Sequence, residues 1–265
     1  YFAGDWMFTA DYLFTQLQDS AIVQRGDLEQ TGTTAEGYPV YDSVREPSFV
    51  LTNSSQDAQA QSFSLGLAKA FDNGFDFSVG YTWNDTEDVS PMTSSVAFSN
   101  YTNRAFFDPQ EDVVSTSNYN IEHRFTFTTT WRTTFFDRFP SVFSLFGQSN
   151  TGRPYSATVP SFPIYGFSPF LENDNVLPPG GTRNAETGSS WTKLDFRFDI
   201  GIPIMGDEDR LAFFMIIDNL TNLLNDDWGI LKQHAFPRVV TEGTPEPRIG
   251  DASLYEIRFG VRYDF

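Results

Sequence analysis

The sequence predicts an all-β protein, about eight antiparallel strands in up-and-down order forming the wall of a transmembrane β-barrel. Three observations carry this. Several segments of about ten residues alternate between apolar and polar side chains, and because a strand points successive side chains to opposite faces, each segment has one apolar and one polar face. The connections between segments run long, short, long, short, as extracellular loops and periplasmic turns do in outer-membrane barrels. The closing stretch sets Tyr255, Ile257, Phe259, Val261, Tyr263 and Phe265 against Glu256, Arg258, Gly260, Arg262 and Asp264, the pattern of a strand between lipid and lumen.

Composition agrees with that reading. Aromatic residues make up 17% of 265 residues, with 28 phenylalanines, more than an ordinary core requires. A net charge of −18 argues against nucleic-acid binding, which needs a basic footprint. The absence of cysteine excludes disulfides and thiolate metal sites. No stretch approaches the roughly 18 apolar residues of a membrane helix. From Tyr1 onward the residues are expected to form a strand-like pattern, and no signal-peptide pattern is expected in them.

The first segment, about Asp5–Leu17, has Trp6, Phe8, Ala10, Tyr12 and Phe14 on one face and Thr9, Asp11 and Thr15 on the other. The second, about Ala58–Phe71, opposes Phe63, Leu65, Leu67 and Phe71 to Ser62, Ser64, Gly66, Ala68 and Ala70. Asp72-Asn73-Gly74 then signals a tight turn into the third, Phe75–Asn84. The fourth, about Tyr119–Thr133, sets Phe125, Phe127 and Trp131 against Thr126, Thr128 and Thr130. A fifth, about Ser141–Tyr155, has a blurred phase. The sixth, Trp191–Ile202, opposes Leu194, Phe196, Phe198, Ile200 and Ile202 to Lys193, Asp195, Arg197 and Asp199. The seventh, Arg210–Leu220, is nearly all apolar, so its faces cannot be assigned from the sequence.

Residues 20–55, 86–118, 156–189 and 221–252 are the long connections; 72–74, 134–140 and 203–209 are the short ones. With the C-terminus in the periplasm, every long loop falls outside the cell. Counting the second loop from Asp85, these loops hold 19 acids and 7 bases, which is −12 of the −18. The bland interpretation is a solvated face; the sharper one is a surface for divalent cations or a cationic ligand. The inward residues of the second to fourth segments are small, too small to fill a closed eight-stranded barrel, so the strands are expected to line part of a wider ring. A self-contained small barrel is the alternative.

Certain pieces resemble TonB-dependent outer-membrane receptors, particularly the large Oar-like members. They are Gly147-Gln148-Ser149-Asn150-Thr151-Gly152-Arg153-Pro154-Tyr155, Trp191-Thr192-Lys193-Leu194-Asp195-Phe196-Arg197, Asp218-Asn219-Leu220-Thr221-Asn222, Asn120-Ile121-Glu122-His123-Arg124 and the strand ending at Phe265. The resemblance implies the C-terminal part of a barrel of about 22 strands, with the plug and the TonB-contacting segment outside this chain. It implies energised transport without covalent chemistry. The expected partners are lipid, lipopolysaccharide, a TonB-type coupler, and the barrel-assembly machinery, which reads a terminal strand with Tyr263 and Phe265. The alternative is a scaffold within an outer-membrane assembly.

The lumen-facing wall is expected to comprise Glu122, Arg124, Arg132, Lys193, Asp195, Arg197, Asp199, Glu256, Arg258 and Arg262, with mixed charges paired across strands. Lys69 interrupts the apolar face near the periplasmic end, where it can snorkel. Phe162, Tyr165, Phe167 and Phe170 form an aromatic, proline-rich loop that suggests contact with a ligand or another outer-membrane protein, or else packing on Tyr101, Phe106 and Phe107. Trp6, Tyr81, Trp83, Trp131, Tyr255 and Tyr263 suit interfacial girdles. No cofactor is expected. Asp85, Glu87 and Asp88, or Glu172 and Asp174, offer carboxylates for calcium but lack a ligand loop of fixed spacing. Neither His123 nor His234 has a catalytic or metal-binding setting.

Overall fold

The computed structural model describes residues 6–159, 175–203 and 210–264. Strand β1 (Trp6–Leu17) leads into a first long connection that carries two antiparallel ribbons, β2 (Ala21–Arg25) with β5 (Phe49–Asn53) and β3 (Leu28–Thr33) with β4 (Pro39–Ser43). Strands β6 (Ala58–Ala70) and β7 (Phe75–Asp88) follow, then a connection with helix α1 (Ala97–Thr102) and β8 (Ser115–Thr116). Strands β9 (His123–Phe135) and β10 (Phe139–Asn150) form a hairpin, followed by β11 (Pro154–Thr158) and β12 (Glu186–Thr187). Strands β13 (Trp191–Pro203) and β14 (Arg210–Asp218) precede α2 (Leu220–Leu224), β15 (Val239–Thr241), α3 (Gly250–Ser253) and the last strand, β16 (Glu256–Asp264).

Eight of these strands form one antiparallel up-and-down sheet in the order β1-β6-β7-β9-β10-β13-β14-β16, with β8 attached to the end of β7. This sheet is the wall. It is not closed: among the described residues β1 pairs only with β6 and β16 only with β14. Its strands run 9 to 14 residues, enough for a tilted strand to cross a bilayer.

The registers resolve the faces. On one level of the wall, Phe8, Leu67, Val79 and Phe127 stand opposite one another in successive strands; elsewhere Phe143, Phe198, Met215 and Phe259 do the same. One face is therefore predominantly apolar on all eight strands, with Lys69, Thr129 and Ser149 among its polar interruptions. The other face carries Thr9, Gly66, Gly80 and Thr126 at one level and Asp199, Phe214 and Gly260 at another.

Two of the ambiguous segments are settled by this pairing. In β10, Ser141, Phe143, Leu145, Gly147 and Ser149 share the apolar face, while Val142 and Phe146 point to the polar one. Gly147 breaks the apolar pattern because the Phe127 ring fills its place; a Cβ there would lie 2.1 Å from that ring. The strand stops at Asn150, before Gly152 and Pro154, so the stretch to Tyr155 that looked like its continuation belongs to a different sheet, β12-β11-β15. In β14, Leu211, Phe213, Met215 and Ile217 lie on the apolar face and Ala212, Phe214 and Ile216 on the polar one. There Phe214 covers Gly260 and lies 5.4 Å from the Arg197 guanidinium, so an aromatic residue fits the polar wall.

The short turns behave as their residues require. Gly74 takes φ +81, which few side chains tolerate, and Asn73 Oδ1 accepts from the Phe75 amide at 3.1 Å. The β9–β10 turn puts Phe136 and Asp137 at φ +53 and +51, the handedness that two-residue hairpin turns favour. The third short connection lies outside the described residues.

The long connections are not irregular. They fold into a cap with its own apolar core of Val23, Tyr38, Tyr101, Phe106 and Val176, against which Phe49, Met92, Phe107 and Val159 pack. This core joins residues from three connections, and a parallel bridge between Phe106 and Val176 ties two of them together.

Candidate functional site

Two regions hold the residues of interest: the polar face of the wall, and the seam where the cap meets the wall's outer end. On the polar face the register gathers acids, among them Asp11, Asp76, Asp195, Asp199, Asp218 and Glu256, and bases, among them Arg124, Arg132, Lys193, Arg197, Arg258 and Arg262. Because i and i+2 point the same way in a strand, Lys193 reaches Asp195 at 3.0 Å, and Arg197 grips Asp199 with two hydrogen bonds of 2.7 Å. Arg132 pairs across strands with Asp76, and Arg258 with Asp218. Of these partners, Asp76 lies on the polar face that the alternation of its segment predicts, whereas Asp218 is placed there only by the register. Arg262 stands opposite Ala212 and borders, with Arg132 and Asp199, a cleft of about 400 Å³ near the short turns. Asp195 also ties the wall to the cap, because its Oδ1 accepts from the Asn219 amide at 2.7 Å.

On the apolar face, Lys69 lies between two rings, 4.6 Å from the centroids of both Trp6 and Phe71, so its charge is held by cation–π contacts near the short-turn end. Around it Trp6, Phe71, Phe75 and Phe77 form one aromatic cluster; Trp131, Phe135, Phe143 and Phe198 form another at the same end. Toward the outer end, the Tyr81 hydroxyl meets His123 Nδ1 at 2.8 Å. Tyr263 is exposed on this face opposite Leu211. Phe265 lies outside the described residues, as do Phe162, Tyr165, Phe167, Phe170, Glu172 and Asp174.

The cap is held by buried polar groups. Asp27, wholly buried, accepts from Arg25 Nε at 2.6 Å and Nη2 at 2.5 Å, from the Ser43 hydroxyl at 2.9 Å and from the Ser48 amide at 3.1 Å. The Arg25 hydrogen bonds, opposed by burial and aided by those from Ser48 and Ser43, hold its carboxyl far below the usual range. Gln110 serves as a strand partner: its Oε1 accepts from the Arg25 amide at 2.9 Å and its Nε2 donates to the Arg25 carbonyl at 2.6 Å. The Tyr101 hydroxyl donates to the same Oε1 at 3.2 Å, and burial raises its pKa. Asp88 is engaged by Arg183, whose Nη2 donates to its Oδ1 and carbonyl at 2.6 Å.

The pieces that carry the family resemblance are structural in this chain. Asn219, at φ +55 and 1% exposed, caps α2, donates to the Gly229 carbonyl at 3.0 Å and accepts from Thr221 at 2.6 Å. Asn222 donates to the carbonyls of Asp226 and Trp228, both at 3.1 Å. Gly152 lets two backbones touch, since a Cβ there would sit 2.0 Å from the Gly188 carbonyl oxygen.

At the seam lies a cleft of about 350 Å³, lined by Trp83, Asp85, Asn120, Glu122, Asn184 and Thr187 among others. Trp83 and Asp85 come from the outer end of β7, and Glu122 from the residue before β9 rather than from the wall itself. Asn184 is fixed by the Ser156 hydroxyl, which approaches its Oδ1 at 3.2 Å, and by donating to the Thr116 carbonyl at 2.7 Å. Asn120 is different: it is 8% exposed, and its Oδ1 accepts no hydrogen bond. The sequence singled out Asp85 and Glu122 but offered nothing to join them to Asn120 and Asn184, which come together only through the cap. Among the described residues no three acidic or imidazole groups converge as metal ligands. No protein-family model and no curated protein matches this chain.

Proposed function

We propose that this chain forms part of the wall of a plugged outer-membrane transporter of the TonB-dependent, Oar-like kind. The observation that carries the proposal is the predominantly apolar face that extends over eight strands, with Phe259 77%, Tyr12 61% and Val261 59% exposed. In water such a face has no partner, whereas in a bilayer it matches the hydrocarbon band of an outer-membrane barrel. The antiparallel order puts all four long connections at the end away from the short turns, the extracellular side in this orientation, with the end of β16 toward the periplasm.

Three further features support a wide, filled lumen. The polar face is lined at its middle by Gly66, Gly80, Ser78, Thr126 and Thr128, which leave room beside the wall. Acids and bases on it are mixed and pair largely among themselves, as suits a wall packed against a plug. The open edges β1 and β16 need further strands, since hydrocarbon does not tolerate unpaired backbone groups. In this reading substrate meets the acidic cap, passes the lumen and is driven by a TonB-type partner acting through the plug. The terminal strand, with Tyr263 and Phe265, addresses the chain to the barrel-assembly machinery.

The placement is tested in full-length protein reconstituted with bromine-labelled lipids. This chain has no cysteine, so single thiols are introduced into it with any cysteine elsewhere in the full-length protein replaced by serine. A fluorophore on Phe259→Cys should be quenched by the acyl chains and one on Thr128→Cys should not; absence of quenching at both would overturn the proposal. Transport is tested by collapsing the proton-motive force in cells. Uptake through the protein should stop, and uptake that continues would refute energy coupling.

A further inference from the structure

The seam cleft has a chemistry that the transport proposal leaves unexplained. Its charged lining residues are both acids, Asp85 and Glu122, with no base among them. Among the described residues Asp85 makes no side-chain hydrogen bond or ion pair, and Glu122 has only His123 at 3.5 Å. Trp83 lines the cleft and stacks on no other ring among the described residues. The polar amide of Asn120 is the independent observation. It is more than nine-tenths buried at the cleft wall, and among the described residues neither its donor nor its acceptor is used. A buried polar group without a partner is costly and is retained where something else satisfies it. Turning the amide about its last bond exchanges donor and acceptor with little change of shape, so Asn120 can offer the cleft a carbonyl oxygen.

We propose that this cleft binds the cationic group of a small organic ligand, a guanidinium or primary ammonium, between the carboxylates of Asp85 and Glu122, the amide of Asn120 and the ring of Trp83. Each component suits that group: carboxylates accept charge-assisted hydrogen bonds, an amide oxygen accepts a further N–H, and an indole face attracts a cation. The surroundings agree, because the long connections carry −12 of the net −18 and draw cations toward the cap. A bare metal ion suits the cleft less well, since only two carboxylates line it and no three acidic or imidazole side chains converge among the described residues. A neutral sugar would use the ring and amides but gives no role to two carboxylates without a counter-charge. The ligand class rests on the transport reading only in being the cargo; the binding itself does not.

The test is calorimetric titration of the full-length protein in detergent with agmatine, which carries both cationic groups and no acid. The expected result is binding that weakens by about tenfold or more in Asp85→Asn/Glu122→Gln, a near-isosteric change that leaves the fold intact. Glu29→Gln/Asp42→Asn, an equal loss of two charges at exposed, paired positions of β3 and β4, should leave it unchanged. Asn120→Ala should weaken it several-fold. The proposal is overturned if agmatine fails to bind, if the double variant binds it like wild type, or if only calcium or only methyl glucoside binds. Failure of the transport reading looks different: agmatine would bind as expected while energised uptake was absent.

Discussion

In the wall, Phe259 is 77% exposed and Val261 59%, whereas in the cap Tyr38 is 2% exposed and Tyr101 1%. The same chain thus builds two regions by opposite rules. The cap hides its apolar side chains from water and organises its polar groups around them, as a water-soluble fold does. The wall turns its apolar side chains outward and keeps few residues buried; the strand positions most enclosed include Ala58, Ser141 and Ile217. What holds the wall's shape is the backbone ladder and the aromatic contacts along its surface. Its burial must come from outside the sheet, and that difference is why a bilayer is proposed as its solvent.

Breaking the cap's polar core should separate the two regions most clearly. Asp27→Ala strands the Arg25 guanidinium in the interior, a loss of roughly 3–5 kcal/mol for a buried ion pair with one member removed. Hydrogen exchange should then rise sharply in 20–55 and stay unchanged in the β9–β10 hairpin; equal deprotection of both would show that cap and wall fold as one unit.

Acid should act in the same place. Asp27 has a folded pKa held down by Arg25, so its contribution to stability is complete above the unfolded carboxyl value of about 3.9 and fades as pH falls below it. Asp112 works in the same direction: burial alone would raise its pKa, but hydrogen bonds from Ser54 and Ser55 outweigh that and lower it. Protection of the cap should therefore decline below about pH 4 and that of the wall hold. In Asp27→Asn the slope should shrink; an unchanged slope would assign the acid response elsewhere.

The smallest expected effect falls on the wall alone. Asp137→Gly relieves a left-handed residue in the β9–β10 turn and should stabilise the wall by roughly 0.5–1 kcal/mol, read as a higher unfolding midpoint with no change in cap protection.

How much of this was legible in the sequence follows the same division. The wall was largely readable, because period-two alternation is a local signal: β6, β7, β9, β13 and β16 match their expected segments closely in position. Where aromatic residues cover glycines on a neighbouring strand, as Phe127 does at Gly147 and Phe214 at Gly260, the alternation blurs in one strand for a reason located in another. The cap was not readable. Its core joins Val23 to Tyr101 and Val176, and Gln110 completes the hydrogen bonds of Arg25, all across long sequence separations with no local period. The seam cleft is illegible for the same reason, since its amides reach the carboxylates only once the cap has folded. The charged wall residues were identified by phase, but the partner Asp218 needed the register.

The measurement that bears most directly on the wall is the stability of Phe259→Arg in the full-length protein refolded into lipid vesicles. Phe259 is 77% exposed, so at a water-facing surface the substitution should be worth no more than about 0.5 kcal/mol. On a lipid-facing strand, arginine costs about 2–4 kcal/mol near the bilayer midplane. A loss in the latter range, with Thr128→Arg much milder, is the predicted result; a near-neutral Phe259→Arg would contradict the membrane placement of the wall.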